Sequence, residues 1–310
     1  MIKRLSIAAL LSAILFIVPT GPAGAAGAAE PLVDAAWVKA NIATDNVVFL
    51  DLRGNPRAFQ AAHIPGARWT SYGRHGWRAK INNVPGMLPP TAKLEALIGR
   101  LGIGNEDHVV LAPAGWDATN MGIATRIYWT FKMLGHDQVS ILDGGMNAYM
   151  ADKGNPLEKG TATPGPKTFK ARFRPELLAT AEDVAKAISG KSATLIDHRP
   201  PGQYMGVNKS GSVKRLGTLP GAKNVPAMWA TVNDGGVFRS KEELVKLYQA
   251  IGLPTEGETI NFCNTGHWAS VGWFITHELL GNKKAKMYDG SMAEWSMKES
   301  NPMDRRINLN

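Results

Sequence analysis

The chain contains one cysteine among 310 residues, Cys263, in the stretch TINFCNTGHWASVGWF that spans residues 259–274. A thiol can serve as a nucleophile, a metal ligand or half of a disulfide. A lone cysteine cannot close an internal disulfide. His63 and His75 lack metal-ligand spacing, so neither a metal nor a cofactor is implied. Two fates remain. A buried, inert thiol is the commoner one for an unpaired cysteine. The other is nucleophilic chemistry, in which the thiolate is the reactive form. Asn264, Thr265, Gly266, His267 and Trp268 follow at once and are the candidates to surround a substrate.

The local pattern decides between them. Residues 259–262 read as a buried strand and residues 269–280 as a helix, which places Cys263 at the bend between the two. In parallel α/β sheets ligands sit beyond the carboxyl ends of the strands, at helix N-termini. If residues 264–268 curl, their N–H groups point at the sulfur and form an anion nest. The following helix adds its positive end. Both features favour a thiolate and can hold a negatively charged adduct. Gly266 supplies any positive φ that the curl needs.

The chain is written twice. Asp51-x-Arg53 is repeated as Asp197-x-Arg199 (197 − 51 = 146), and Asp143 as Asp289 (289 − 143 = 146). Leu134-Gly135 is repeated as Leu280-Gly281 at the same spacing. Each copy alternates strands and helices. Strands are expected over 47–50, 109–111 and 139–142, and again over 194–196, 259–262 and 285–288. Helices are expected over 91–101, 122–134, 241–251 and 269–280. Such alternation implies a mostly parallel sheet with helices on both faces, an α/β fold present in tandem. The Gly-, Pro-, Lys- and Thr-rich stretch after the first copy is the linker. Domains are therefore expected at 29–152 and 176–310, joined by 153–175. At the 146 offset Cys263 falls on Asp117 (263 − 146 = 117). A carboxylate cannot replace a sulfur nucleophile, so the first copy is expected to be catalytically silent.

Residues 1–28 have the layout of a secretory signal peptide: Lys3 and Arg4, a short apolar run, then small residues. Its removal would leave a net charge of +9 − 2 = +7. The expectation is a periplasmic or extracellular protein with no membrane span after cleavage. A basic balance favours small anions. With no Lys/Arg block or nucleic-acid motif, nucleic acid is not an expected partner.

These motifs, in this order and twice over, resemble the rhodanese superfamily in its tandem-domain form. The first-domain signals are Asp51-x-Arg53, His63-Ile64-Pro65-Gly66-Ala67 and Asp143-Gly144-Gly145. The second-domain signals are Asp197-x-Arg199, Pro220-Gly221-Ala222, Cys263-x-x-Gly266 and Asp289-Gly290-Ser291. The resemblance covers about residues 32–303 and implies a sulfurtransferase of the thiosulfate or mercaptopyruvate kind. It further implies a ping-pong reaction. Cys263 takes a sulfane sulfur from an anionic donor as a persulfide, and a thiophilic acceptor such as cyanide or a thiol removes it. Arg199 matches the family arginine that grips the donor. The loop departs from the thiosulfate type in having no fixed cation, only His267, which would serve when protonated. Two other classes fit less well. A sulfur carrier would pass its persulfide to a specific protein acceptor. A cysteine phosphatase would need an arginine where Ala269 stands, six residues after the cysteine.

Overall fold

A computed structural model describes residues 29–161 and 164–309. The expected signal peptide, residues 1–28, lies outside the described residues. The first half comprises β1 (Leu32–Val33), α1 (Ala35–Asn41), β2 (Val47–Asp51), α2 (Pro56–Ala61), β3 (Arg68–Trp69), β4 (Ala79–Ile81), β5 (Val84–Met87), α3 (Thr91–Arg100), β6 (His108–Ala112), α4 (Ala118–Met133), β7 (Val139–Leu142) and α5 (Gly145–Ala151). The second half comprises β8 (Leu178–Ala179), α6 (Ala181–Gly190), β9 (Thr194–Asp197), α7 (Pro201–Tyr204), β10 (Lys223–Asn224), α8 (Lys241–Ala250), β11 (Thr259–Phe262), α9 (His267–Trp273), β12 (Ala285–Tyr288) and α10 (Ser291–Trp295).

Each half builds one parallel sheet, in the order β1-β7-β6-β2-β3 and β10-β9-β11-β12-β8. The central strands β6 and β11 are almost wholly buried, as strands covered by helices on both faces must be. The three strands expected per copy are present. To each sheet the fold adds two flanking strands of two residues, too short to leave a periodic signal.

Helix starts follow local chemistry. Thr180 with Asp183 and Ser240 with Glu243 form capping boxes for α6 and α8. Two helices differ from expectation. The α4 helix starts at Ala118, four residues earlier than expected, because Asp117 caps it by accepting the Asn120 N–H at 2.7 Å. The α9 helix starts at His267 and continues as a π-helical turn over Phe274–Leu279. Outside the sheets lies an element the periodicity did not announce, the β4–β5 hairpin. Asn82 and Asn83 turn it with φ of +49° and +64°, the conformation of a type I′ turn.

The two halves share a core. Helices α4 and α9 pack against each other, with Tyr128 edge-on to Phe274 at 5.0 Å between ring centroids. The Thr125 and Ser270 hydroxyls meet at 2.8 Å between these helices. Cys263 belongs to this shared core.

Candidate active site

Cys263 follows β11, where the chain leaves the sheet, and is 1% exposed. Burial alone would also describe an inert thiol; its surroundings differ from an inert site. The Cys263 N–H donates to Ser291 Oγ at 3.1 Å, and its carbonyl accepts from the Met292 N–H at 3.0 Å. The Asn264 carbonyl accepts from the Ala293 N–H at 2.8 Å. The start of α10 thus anchors the first residues of the loop. The loop ends at Gly266, whose φ of +77° caps α9. A Cβ there would lie 2.3 Å from Arg126 Nη1, so glycine is required by space as well as by φ.

The loop faces the first half of the chain. Arg126, on α4, pairs with Asp289 at 2.6 Å and donates to the Gly266 carbonyl at 3.1 Å. Arg78, just before β4, donates to the Thr265 carbonyl. His267 is clasped from both sides. Its Nε2 faces the Thr119 carbonyl at 3.1 Å, which only accepts, so Nε2 carries the proton. Its Nδ1 therefore accepts from the Tyr72 hydroxyl at 3.2 Å. Trp268 Nε1 donates to Thr119 Oγ1 at 3.3 Å. Asn264 Nδ2 donates to Gln203 Oε1 at 2.8 Å. Beside Trp268 lies an apolar cavity of about 160 Å³, bordered by Pro200, Pro226 and Ala227.

Electrostatics change two expectations. Burial, then Arg78, push the His267 pKa down to about 4, with Arg126 acting in the same sense. The ring is neutral at pH 7, so it is not the protonated cation the loop was expected to use. Arg199 is also placed otherwise than expected. It is fully buried and forks onto Asp197, with Nη2–Oδ2 at 2.6 Å, and its Nη2 donates to the Gly217 carbonyl at 2.9 Å. Arg53 repeats the arrangement on Asp51 at 2.6 Å, with the Ala62 carbonyl as its second acceptor. A pair that recurs at a strand end with no cysteine is fold geometry. Arg199 is thus committed to Asp197 rather than presented to a donor.

The first half corrects the expected alignment: Asp51 pairs with Ala112 as Asp197 pairs with Phe262, and the Met146 N–H reaches the Pro113 carbonyl as the Met292 N–H reaches that of Cys263. Pro113 therefore stands at the place of the thiol, while Asp117, four residues further on, caps α4. His63 stacks on Phe59 at 4.0 Å, and no cluster of metal-ligating side chains occurs among the described residues. No helix among the described residues is long and apolar enough to cross a membrane. The groups that sequence reasoning missed are Tyr72, Arg78, Thr119 and Arg126 from the first half and Gln203 from the second. Only Arg78 had a local signal, the Asn-Asn turn of the hairpin that follows it.

The model of the rhodanese-like domain matches residues 34–152 and again 180–298. The chain belongs to the rhodanese family as a tandem pair of its domains, and it is a sulfurtransferase. A Saccharopolyspora erythraea protein bearing the provisional name of thiosulfate sulfurtransferase is 34% identical over 86% of this chain and 93% of its own length. The sulfur carrier protein TtuD of Thermus thermophilus is 31% identical over 86% of this chain and 93% of its own. Among solved structures, the 3-mercaptopyruvate sulfurtransferase SseA of Escherichia coli superposes with a TM-score of 0.74 at 25% identity. That match covers 85% of this chain and 99% of SseA.

Proposed function

We propose that the protein moves a sulfane sulfur from thiosulfate to a thiophilic acceptor, such as cyanide or a small thiol, through a persulfide on Cys263. The observation that carries this reading is the seat of the only cysteine. Cys263 stands where β11 leaves the sheet, held by Ser291, and the loop that follows it is clasped by the other domain. The thiolate attacks the outer sulfur of thiosulfate. The S–S bond of the donor breaks, and sulfite leaves with its electron pair. Cyanide then attacks the terminal sulfur and leaves as thiocyanate, returning the thiolate. The provisional names of relatives such as the Saccharopolyspora erythraea protein favour thiosulfate. We extend the proposal to export, on the basic, apolar and small-residue layout of residues 1–28, with a periplasmic location.

The likeness to TtuD supports a second reading, in which the persulfide is passed to a partner protein. One experiment separates the two. The purified protein is incubated with thiosulfate, its mass is read for one added sulfur on Cys263, and then cyanide or cysteine is supplied. Release of the sulfur at catalytic rate supports the enzyme reading. A persulfide that forms but persists supports the carrier. No added sulfur from thiosulfate sinks the choice of donor.

A further inference from the structure

From Asn264 through Trp268 the loop carries no lysine or arginine, and His267 is neutral at pH 7. Arg199 is closed onto Asp197 and Arg126 onto Asp289. An anionic donor nonetheless needs positive charge at the site, because an unpaired anion is costly to take out of water. Among the described residues, one guanidinium touches this loop without a carboxylate partner: Arg78. It donates to the Thr265 carbonyl and, through Nε, to the Gly86 carbonyl at 2.9 Å. It also stands 5.6 Å from the centroid of the Tyr72 ring, whose hydroxyl reaches His267.

The seat is built for it. Gly86 has φ of +80°, and a Cβ at that position would fall 1.8 Å from Arg78 Nη2. Glycine at 86 leaves the volume that the guanidinium fills.

The pseudo-symmetry of the molecule supplies a control. Each domain sends an arm across to the other. The Leu88 N–H donates to Asp289 Oδ2 at 2.7 Å, and the Phe238 N–H donates to Asp143 Oδ1 at 2.9 Å. The arm to Leu88 runs 19 residues from Trp69 at the end of β3 (88 − 69 = 19), and the arm to Phe238 runs 14 from Asn224 at the end of β10 (238 − 224 = 14). Arg78 stands on the longer one, at the start of the β4–β5 hairpin. Gly236, the counterpart of Gly86 (86 + 150 = 236), is pressed on the silent loop instead, where a Cβ would lie 2.1 Å from the Gly115 carbonyl oxygen. The arm that reaches the cysteine loop sets a guanidinium on it; the arm that reaches the first-half loop lays the Gly236 backbone there and leaves no room.

We propose that Arg78 binds the anionic end of the sulfur donor, so that the first domain, which has no thiol, supplies the substrate-binding charge for Cys263. This rests on the sulfur-transfer reading above. A guanidinium matches the paired oxygens of a sulfonate or carboxylate and would also face the sulfite that departs. The first domain is then a working half of the site.

The test compares wild type with Arg78→Met, Arg78→Lys and Lys80→Met. Lys80 is an exposed cation on the same arm. Thiosulfate and cyanide dependences are measured separately, and thiosulfate binding is measured by calorimetry on each variant in a Cys263→Ser background. Arg78→Met is expected to raise the thiosulfate KM and Kd about 10- to 100-fold, the size of one charged contact, and to leave the cyanide dependence unchanged. Arg78→Lys should keep part of the binding. Lys80→Met should behave as wild type, which rules out general steering by charge. Thiosulfate KM and Kd within twofold of wild type in Arg78→Met, with persulfide still formed, would overturn the inference and leave the reaction standing. A wild type that takes sulfur from mercaptopyruvate or glutathione persulfide but not from thiosulfate overturns only the choice of donor. The KM for that anionic donor must then rise in Arg78→Met by the same factor, and an unchanged KM overturns the inference. Should Arg78→Met not fold, Gly86→Ala displaces the guanidinium while keeping it in the chain, and the same shifts are expected.

Discussion

Arg126 of the first domain and Asp289 of the second form a 2.6 Å ion pair that is buried at both ends and closes directly behind the cysteine loop. The same carboxylate accepts the Leu88 N–H, and Arg126 holds the Gly266 carbonyl. Loop shape and domain docking are therefore one network, and cutting it should disturb both.

Removing one partner leaves a buried charge uncompensated. Arg126→Met is expected to cost about 3–5 kcal/mol of stability and to lower sulfur transfer. The double variant Arg126→Met/Asp289→Asn should recover part of the stability. Urea unfolding of the four proteins of that cycle measures it, and strict additivity of the two losses would show that the pair does not act as a unit.

Cys263→Ser should abolish sulfur transfer while the melting temperature stays close to wild type. Asp117→Ala should retain turnover and lose about 1 kcal/mol, the worth of a helix cap. Loss of activity in Asp117→Ala as complete as in Cys263→Ser would contradict a silent first domain.

Arg199→Met should act on folding. Its partner Asp197 is wholly buried, so about 3–5 kcal/mol is expected to be lost. In the fraction that still folds, the thiosulfate KM should match wild type. A raised KM at unchanged stability would return Arg199 to the binding site.

The His267 pKa of about 4 lies below the ordinary histidine value of about 6.5. Between these values the unfolded chain takes up a proton that the folded chain refuses. The stability that His267 contributes is thus complete above about pH 6.5 and falls as pH drops toward 4, by on the order of 3 kcal/mol in all. Burial first, then Arg78 and Arg126, set this shift, against the Thr119 carbonyl and Asp117, which act to raise the value. Burial also lowers the pKa of His75, His108, His136, His198 and His277, which add slope of the same sign. The comparison is therefore between proteins: His267→Gln should lose less stability than wild type from pH 7 to pH 5, as read by urea unfolding. Equal losses would mean that the ring is not held neutral by the fold. Thiosulfate turnover should likewise show no gain as pH falls toward 6.5.

Gly122 meets the His267 ring across the α4–α9 contact, where a Cβ would lie 2.8 Å from Nε2. Gly122→Ala should push the ring off the Thr119 carbonyl and cost about 1–3 kcal/mol by overpacking. A melting temperature equal to wild type would show that the helices can separate without loss.

What the sequence determined by itself was everything written in short-range pattern. The apolar run 259–262, the thiol at its end and Gly266 shortly after define a strand, a bend and a helix start, because residue spacing and turn chemistry act over a few residues. The 146-residue repeat made the tandem α/β architecture legible, since each copy independently spells its strands and helices. The doubled Asp-x-Arg was visible too, although only the structure shows each arginine folded back on its aspartate two residues away. Tertiary structure decided what stands around the thiol. Arg78 meets Thr265 across 187 positions and Tyr72 meets His267 across 195. No local periodicity encodes such contacts; they arise because α4 and α9 pack closely, with Gly122, Thr125 and Ser270 at the contact, and bring the arm of one domain onto the loop of the other. The same packing buries His267 beside two arginines and keeps it neutral, a property that its place in the sequence, next to a catalytic loop, does not reveal.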